Sequence, residues 1–466
     1  MIKLDKERLY QDLKEKYIRK HKKSEAFFRQ AKQRQVRGGS HNLRLNVPFP
    51  FYDVRCQGSR VTDVDGNSYV DFWQGHFANV LGHNPKFIRE ALHDYLQNGE
   101  GLVTGFPGQY QIQLAELITQ QTGAERIRFT TSGTLASMYS IILSKAFTQR
   151  ELVLKIKGGW HGAQPYVLKG ITSLSGGQEL MESAGLSQHI DSSIILTRFN
   201  DTDDLEEKFR LYGDRLACLI IEPFVGAGGF IFGHREYIKR ARELTHQYGA
   251  LLIFDEVVSG FRFHAGGLQS VYGINPDLSI FGKAIGGGMP VSAVAGREDV
   301  LMLCDSEAPL RSRVKFDGGT FSALPASMYA GTLYLKYLID YADKIYIQIG
   351  QLGNKARNQI EQIFKNQGFN VLCTGLDAEV IPESSLVGVH FLHESADRIT
   401  SPEQVWDTDK CDTEMREKIL RLAMINEGFN IFHGYGGISY AHTDEEIQAS
   451  LDAIDRIARF FLKFKK

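Results

Sequence analysis

The stretch LSIFGKAIGGGMPVS, residues 278–292, sets Lys283 in an apolar run that collapses into three consecutive glycines and a proline. An amine in such surroundings loses its proton readily, because desolvation disfavours the charged form, and a neutral amine attacks aldehydes. Two other runs end in residues able to do chemistry. LLIFDEV delivers Asp255 directly from an apolar strand. RIRFT leads into Ser132, Gly133 and Thr134, and the apolar positions Leu135, Met138, Tyr139 and Ile142 beyond them follow helical spacing. Free N–H groups and the dipole at a helix start favour a phosphate there. Each feature also has a plainer reading: Asp255 as a helix cap, the Ser-Gly-Thr tripeptide as an ordinary cap, and Gly286, Gly287 and Gly288 as a flexible loop.

Together the three features fit one ligand that carries a phosphate, a basic ring nitrogen and a group that a lysine can attack. Pyridoxal 5'-phosphate has all three. Lys283 would condense with its aldehyde. Asp255 would keep the ring nitrogen protonated, so that the ring accepts electrons when a Cα proton leaves a bound amino acid.

The elements that position these residues are legible as short apolar runs. Between about 110 and 300, RIRFT, LVLKI, SIILTRF, LACLIIEP, LLIFDEV and LSIFGK alternate with helix-length segments. Runs apolar on both faces predict an α/β fold with a mostly parallel central sheet and helices on both sides. Ligands of such sheets gather at the carboxyl ends of the strands, where all three features fall. Residues 4–35 read as a polar helix with a thin stripe of Leu9, Leu13 and Tyr17, and RVTDVDGNSYVDFW as a hairpin turning at Asp65-Gly66-Asn67. After about 325, long helical stretches precede a few strands and a terminal helix. The expected organisation is an N-terminal helix and small-domain segment over residues 1–90, a large cofactor-binding domain over 91–325, and a smaller α+β domain over 326–466.

Composition excludes several classes of function. The chain has 466 residues, 54 Lys plus Arg against 55 Asp plus Glu, and a formal net charge of -1, so it offers no field for nucleic acid or an anionic membrane. Five scattered cysteines without a C-x-x-C pair argue against a disulfide framework or a thiolate metal site and suit a reducing cytoplasm. The charged N-terminus has no signal-peptide core, and no run approaches membrane-spanning length. Small, locally charged ligands are the expected partners, and no metal is expected.

The motifs SGT (132–134), GGWHG (158–162), EPFVGAGG (222–229), LLIFDEVVSGFR (251–262), PDLSIFGKAIGGGMPVSA (276–293) and GGTFSALP (318–325) occur in one order. With them the chain resembles the class III, fold type I pyridoxal-phosphate aminotransferases, above all their glutamate-1-semialdehyde 2,1-aminomutase branch. The resemblance covers most of the chain beyond about residue 25. It implies that Lys283 joins the cofactor covalently and shuttles protons, that Asp255 pairs with the ring nitrogen, and that Ser132, Gly133 and Thr134 receive the phosphate. Trp160 stands where the family has a Tyr against one ring face, Val257 is expected on the other, His161 supports the loop, and Glu222 lies near the lysine. Thr320 is expected to reach the phosphate of a neighbouring subunit, making the protein a homodimer with shared sites. Arg44 is expected to bind a substrate carboxylate, and His76 falls where the aminomutase has a substrate-side Trp.

Departures from the family surround the substrate. SGTLA replaces SGTEA at Leu135, GTFSALP replaces GTLSGNP at Ala323 and Leu324, and Gly434 stands where aminomutases carry a glutamate ahead of the AHT motif. They favour an aminotransferase, taking an amino acid or amine and a keto acid, with the aminomutase as the alternative. A third reading, an inactive cofactor-binding regulator, is disfavoured because both Lys283 and Asp255 are retained.

Overall fold

The computed structural model describes residues 2–171 and 181–466. Its centre is a seven-stranded sheet built from Arg126–Thr130, Leu152–Ile156, Ile194–Thr197, Leu216–Ile221, Leu251–Asp255, Leu278–Phe281 and Ser292–Gly296. Ser292–Gly296 lies between Arg126–Thr130 and Leu278–Phe281 and is antiparallel to both; the other neighbours run parallel. The six runs read from the sequence are all strands. The seventh went unread because SAVAG is made mostly of small residues and lacks a continuous run of large apolar ones.

Strict alternation of side chains divides the sheet between two cores. Leu252, Phe254, Leu219 and Ile221 pack with Leu205, Phe209, Ile238 and Leu244 on one side. Leu251, Ile253, Ile220 and Ile280 pack with Ala136, Ile141 and Leu143 on the other. The helix Gly133–Thr148 turns an unexpected face inward. The expected stripe of Leu135, Met138, Tyr139 and Ile142 is only partly buried; Ala136, Ser137, Ser140, Ile141, Leu143 and Ser144 are the buried positions. Small side chains let this helix lie close on the sheet, and Ser140 and Ser144 satisfy their hydroxyls on the carbonyls of Ala136 and Ser140, each at 2.8 Å.

The chain ends meet beside this unit. The hairpin Arg60–Asp63 and Ser68–Asp71 turns through Gly66 at φ +89°, and Phe429–Asn430 pairs in parallel with Val70 and Asp71. The N-terminal segment is two helices, Lys6–Lys20 and Lys22–Ala31, not one. The break falls at buried His21, whose ring bonds the Tyr17 carbonyl and the Tyr69 hydroxyl, each at 2.6 Å. Leu9, Leu13 and Tyr17 are buried as expected. Among the described residues no helix is long and apolar enough to cross a membrane, and no group of His, Cys, Asp and Glu is placed to hold a metal ion.

Burial pushes the pKa of His21, His76, His161, His264, His390 and His442 below the usual value. Below about pH 6.5 the unfolded chain therefore binds protons that the folded chain refuses, and stability falls with pH. Glu222 and Glu256, raised by burial, act in the opposite direction but are outnumbered. The urea midpoint is expected to be lower at pH 5.5 than at pH 7.5; an equal or higher midpoint at pH 5.5 contradicts this reading.

Candidate functional site

Strand register brings the expected residues together. Phe254 pairs with Ile221, so Asp255 and Glu222 emerge side by side from parallel strands. Asp255 itself pairs with Ile280, and three residues later the neighbouring strand turns into Lys283. Lys283 sits at φ +48°, a left-handed conformation that costs a non-glycine residue energy and that collects at functional sites. The turn closes through Gly287 at φ +59°, where an added Cβ would lie 2.8 Å from the Ala330 carbonyl oxygen. Here glycine is required by geometry as well as conformation.

Burial lowers the Lys283 pKa, while Asp255 and Glu222 oppose the shift. Burial also raises the Glu222 pKa, and Asp255 adds to that rise. The two carboxylates are held differently. Glu222 accepts from the backbone N–H of Trp160 at 2.8 Å and of Gly226 at 3.0 Å, so it fastens two loops. Asp255 accepts from the Val257 N–H at 3.1 Å and from His161 Nδ1 at 2.8 Å. A carboxylate only accepts, so the His161 proton sits on Nδ1. Burial lowers the His161 pKa despite this contact, and its Nε2 finds no partner among the described residues. From the sequence His161 is a cofactor-side candidate that supports the loop; in the structure its ring also aims Asp255.

The phosphate candidates stand beside this group. Ser132 caps the helix Gly133–Thr148 by accepting from Leu135 N at 3.3 Å. A Cβ on Gly133 would lie 3.0 Å from Val257 Cγ2, and one on Gly162 would strike Thr134. Two glycines thus keep open a cradle formed by helix start, strand end and the Trp160 loop. That loop is tied from beneath by buried Lys155, which donates to the carbonyls of Gly159 at 3.1 Å and Lys169 at 2.8 Å. Nothing in the spacing of the sequence marked Lys155. The Trp160 ring is 42% exposed.

Pyridoxal 5'-phosphate fits this donor set: a desolvated lysine, a carboxylate whose remaining capacity faces the same space, and a capped helix start with glycine clearance. Thr320 is exposed on the rim of an open groove of about 730 Å³ that also contains Val103, Phe106 and Ile112. No hydrogen bond joins it to the group above among the described residues. Arg44 is exposed on a 3-10 turn, Asn42–Arg44. His76 is partly buried, with its ring 4.8 Å from that of His41, and Arg44 and Lys283 both act on it electrostatically. Arg262, at the end of the Asp255 motif, ties this region to the strand end by donating to the carbonyls of Ile438 at 2.8 Å and Phe77 at 3.4 Å.

The class-III aminotransferase family model matches residues 44–372, and the chain belongs to that family, whose members are pyridoxal-phosphate enzymes. Among curated relatives it is similar to a glutamate-1-semialdehyde 2,1-aminomutase of Thermoplasma acidophilum, 32% identical over 90% of this chain and 94% of that one. A Saccharolobus islandicus protein of the same name is 37% identical over 68% of this chain and 72% of its own length. Among solved structures it is similar to an omega-transaminase from Sphaerobacter thermophilus (TM-score 0.83, 28% identity, 94% of this chain and 98% of that chain). It is also similar to a beta-phenylalanine aminotransferase from Variovorax paradoxus (TM-score 0.84, 26% identity, 98% and 99%).

Replacing Glu222 by leucine strips two backbone N–H groups of their acceptor. Glu222→Leu is expected to lose about 1–3 kcal/mol in urea unfolding, the cost of unsatisfied buried donors. A loss below about 0.5 kcal/mol would show that the carboxylate does not fasten these loops.

Proposed function

We propose that this chain is a pyridoxal-phosphate aminotransferase of the aminomutase-like branch, acting between an amino acid or amine and a keto acid. The observation that carries the reading is the convergence of Lys283, Asp255 and the start of the helix Gly133–Thr148 at one end of the sheet. When bound, the cofactor supplies an electron sink for the pair left behind as a Cα proton departs. Every other duty falls to the protein. Lys283, its proton affinity lowered by burial, anchors the cofactor and then carries the proton from Cα. Asp255, aimed by His161 and the Val257 N–H, holds the proton at the ring nitrogen. Ser132, Gly133 and Thr134 hold the phosphate, Trp160 and Val257 enclose the ring, and Arg44 receives a substrate carboxylate.

Transfer between two substrates is preferred over internal transfer because of Gly434. It lies at φ +90°, and any Cβ there would meet the Val389 backbone oxygen at 2.7 Å and nitrogen at 2.8 Å. A glutamate at this position, the aminomutase arrangement, does not fit the loop as built. The alternative reading, an aminomutase, is favoured by the names of the curated relatives. We assign the working unit as a homodimer. Leu102, Val103, Phe106, Ile112 and Phe321 are large, apolar and exposed near Thr320, and burial of such a patch by a second copy would deliver Thr320 to the neighbouring site. Five free thiols suit a reducing compartment such as the cytoplasm.

Borohydride reduction of the loaded enzyme is expected to fix the cofactor on the peptide containing Lys283; label on Lys155 or another lysine refutes the assignment. Product analysis with glutamate-1-semialdehyde and a panel of amino and keto acids is expected to yield a keto product. Formation of 5-aminolevulinate with no keto product would establish internal transfer instead.

A further inference from the structure

Several polar groups beside the proposed substrate site have no partner among the described residues. Trp73 Nε1, His76 Nε2, and Nε and Nη2 of Arg421 are buried without a hydrogen-bond partner. They share one aromatic stack. The rings of Trp73 and Phe432 are parallel at 4.8 Å, and His76 meets Trp73 edge-on at 4.6 Å. The Arg421 guanidinium lies 5.3 Å from the Trp73 centroid and 5.0 Å from that of Phe432. His433, adjacent in the chain to Phe432, packs against that ring at 4.2 Å. Buried polar groups in folded proteins are paired with protein or ordered water almost without exception, so a cluster of unpaired ones marks a place where a partner from outside the chain can bind.

The largest electrostatic influences on His76 are cationic. They come from His41, Lys283, Arg44 and His433. The acids here are already engaged: Glu417 by Arg416 Nε at 2.8 Å and His433 Nδ1 at 3.0 Å, and Asp71 by His83 Nε2 and Asn430 Nδ2, each at 2.7 Å; both acids also act on Arg421. Burial first, and then these cationic neighbours, push the His76 pKa down to about 3, a load that an anion would relieve. The backbone is also committed to this arrangement: Gln74, Gly75, His76 and Phe77 all have positive φ. Asp71 accepts from the N–H groups of Trp73 at 3.1 Å and Gln74 at 2.9 Å, and Arg262 holds the Phe77 carbonyl. Three non-glycine residues in that conformation are held against a cost, as happens at ligand sites.

The basic groups lie at two depths. Arg44 and His41 are exposed at the rim, whereas His76 and His433 are partly buried on the stack. We propose that the substrate carries two carboxylates, the first received by Arg44 and the second by His76 and His433 in the field of Arg421. This rests on the reading of the site as an amino-transfer centre, because it assigns the outer groups to substrate. An acidic amino acid or its keto acid is the substrate class that follows.

The test compares unreactive acids of one chain length, glutarate and valerate, binding to the cofactor-loaded enzyme by calorimetry. Glutarate is expected to bind at least about 10-fold more tightly, since its second carboxylate gains charge-assisted bonds. His76→Asn, whose side chain tolerates the left-handed backbone, is expected to reduce that preference to within about 2-fold, and Arg44→Ala to weaken both acids. Equal binding of the two acids by the native enzyme, or a preference that survives His76→Asn, overturns the proposal. Binding here does not depend on turnover. Tight glutarate binding by an enzyme that converts no amino donor supports the subsite while refuting the transfer reading.

Discussion

An amine held out of water between two carboxylates is the constraint on which the rest of this structure turns. Parallel register alone would present Asp255 and Glu222 to Lys283 as equals. Hydrogen bonds separate them: Glu222 spends its oxygens on two backbone N–H groups, while Asp255 is fixed by one backbone N–H and one imidazole. One acid becomes a fastener and the other remains directed at a ligand. Both the lysine turn and the Trp160 loop are shaped to preserve this difference.

The middle of the chain was largely readable because burial on both faces forces continuous apolar runs, and the residues that follow those runs emerge where ligands gather. Lys283, Asp255 and the Ser132 cap came from that rule. The strand Ser292–Gly296 escaped it because its residues are mostly small and make no continuous run of large apolar side chains. The buried face of the helix Gly133–Thr148 escaped because serines, bonded to their own helix, replaced the apolar residues that mark an inward stripe. His161 was seen but undervalued, since its bond to Asp255 spans 94 positions. Lys155, His41, Arg421 and His433 gave no local signal at all: their convergence comes from packing, and spacing along the chain does not encode it.

The proposed cofactor side and the proposed substrate side are built from different parts of the molecule. Strand ends of the central sheet supply the former. The latter is assembled from the turn around His76, the loop bearing Arg44 and the segment around Phe432, which come from opposite ends of the sequence and meet where Phe429–Asn430 pairs with Val70 and Asp71. Arg262 bridges the two sides with a buried guanidinium. Such a division lets pocket chemistry vary on loops while the sheet keeps the reacting groups in place.

One hydroxyl spans the cofactor side. Ser137 Oγ lies 2.5 Å from the carbonyl of His161 and 3.0 Å from that of Thr134, so the proposed phosphate end and the imidazole that steers Asp255 are coupled through a single atom. The site consequently behaves like a rigid bracket: a shift at either end is transmitted across the width of the ring it is shaped to clasp, and position 137 can accommodate change only if both arms move in step.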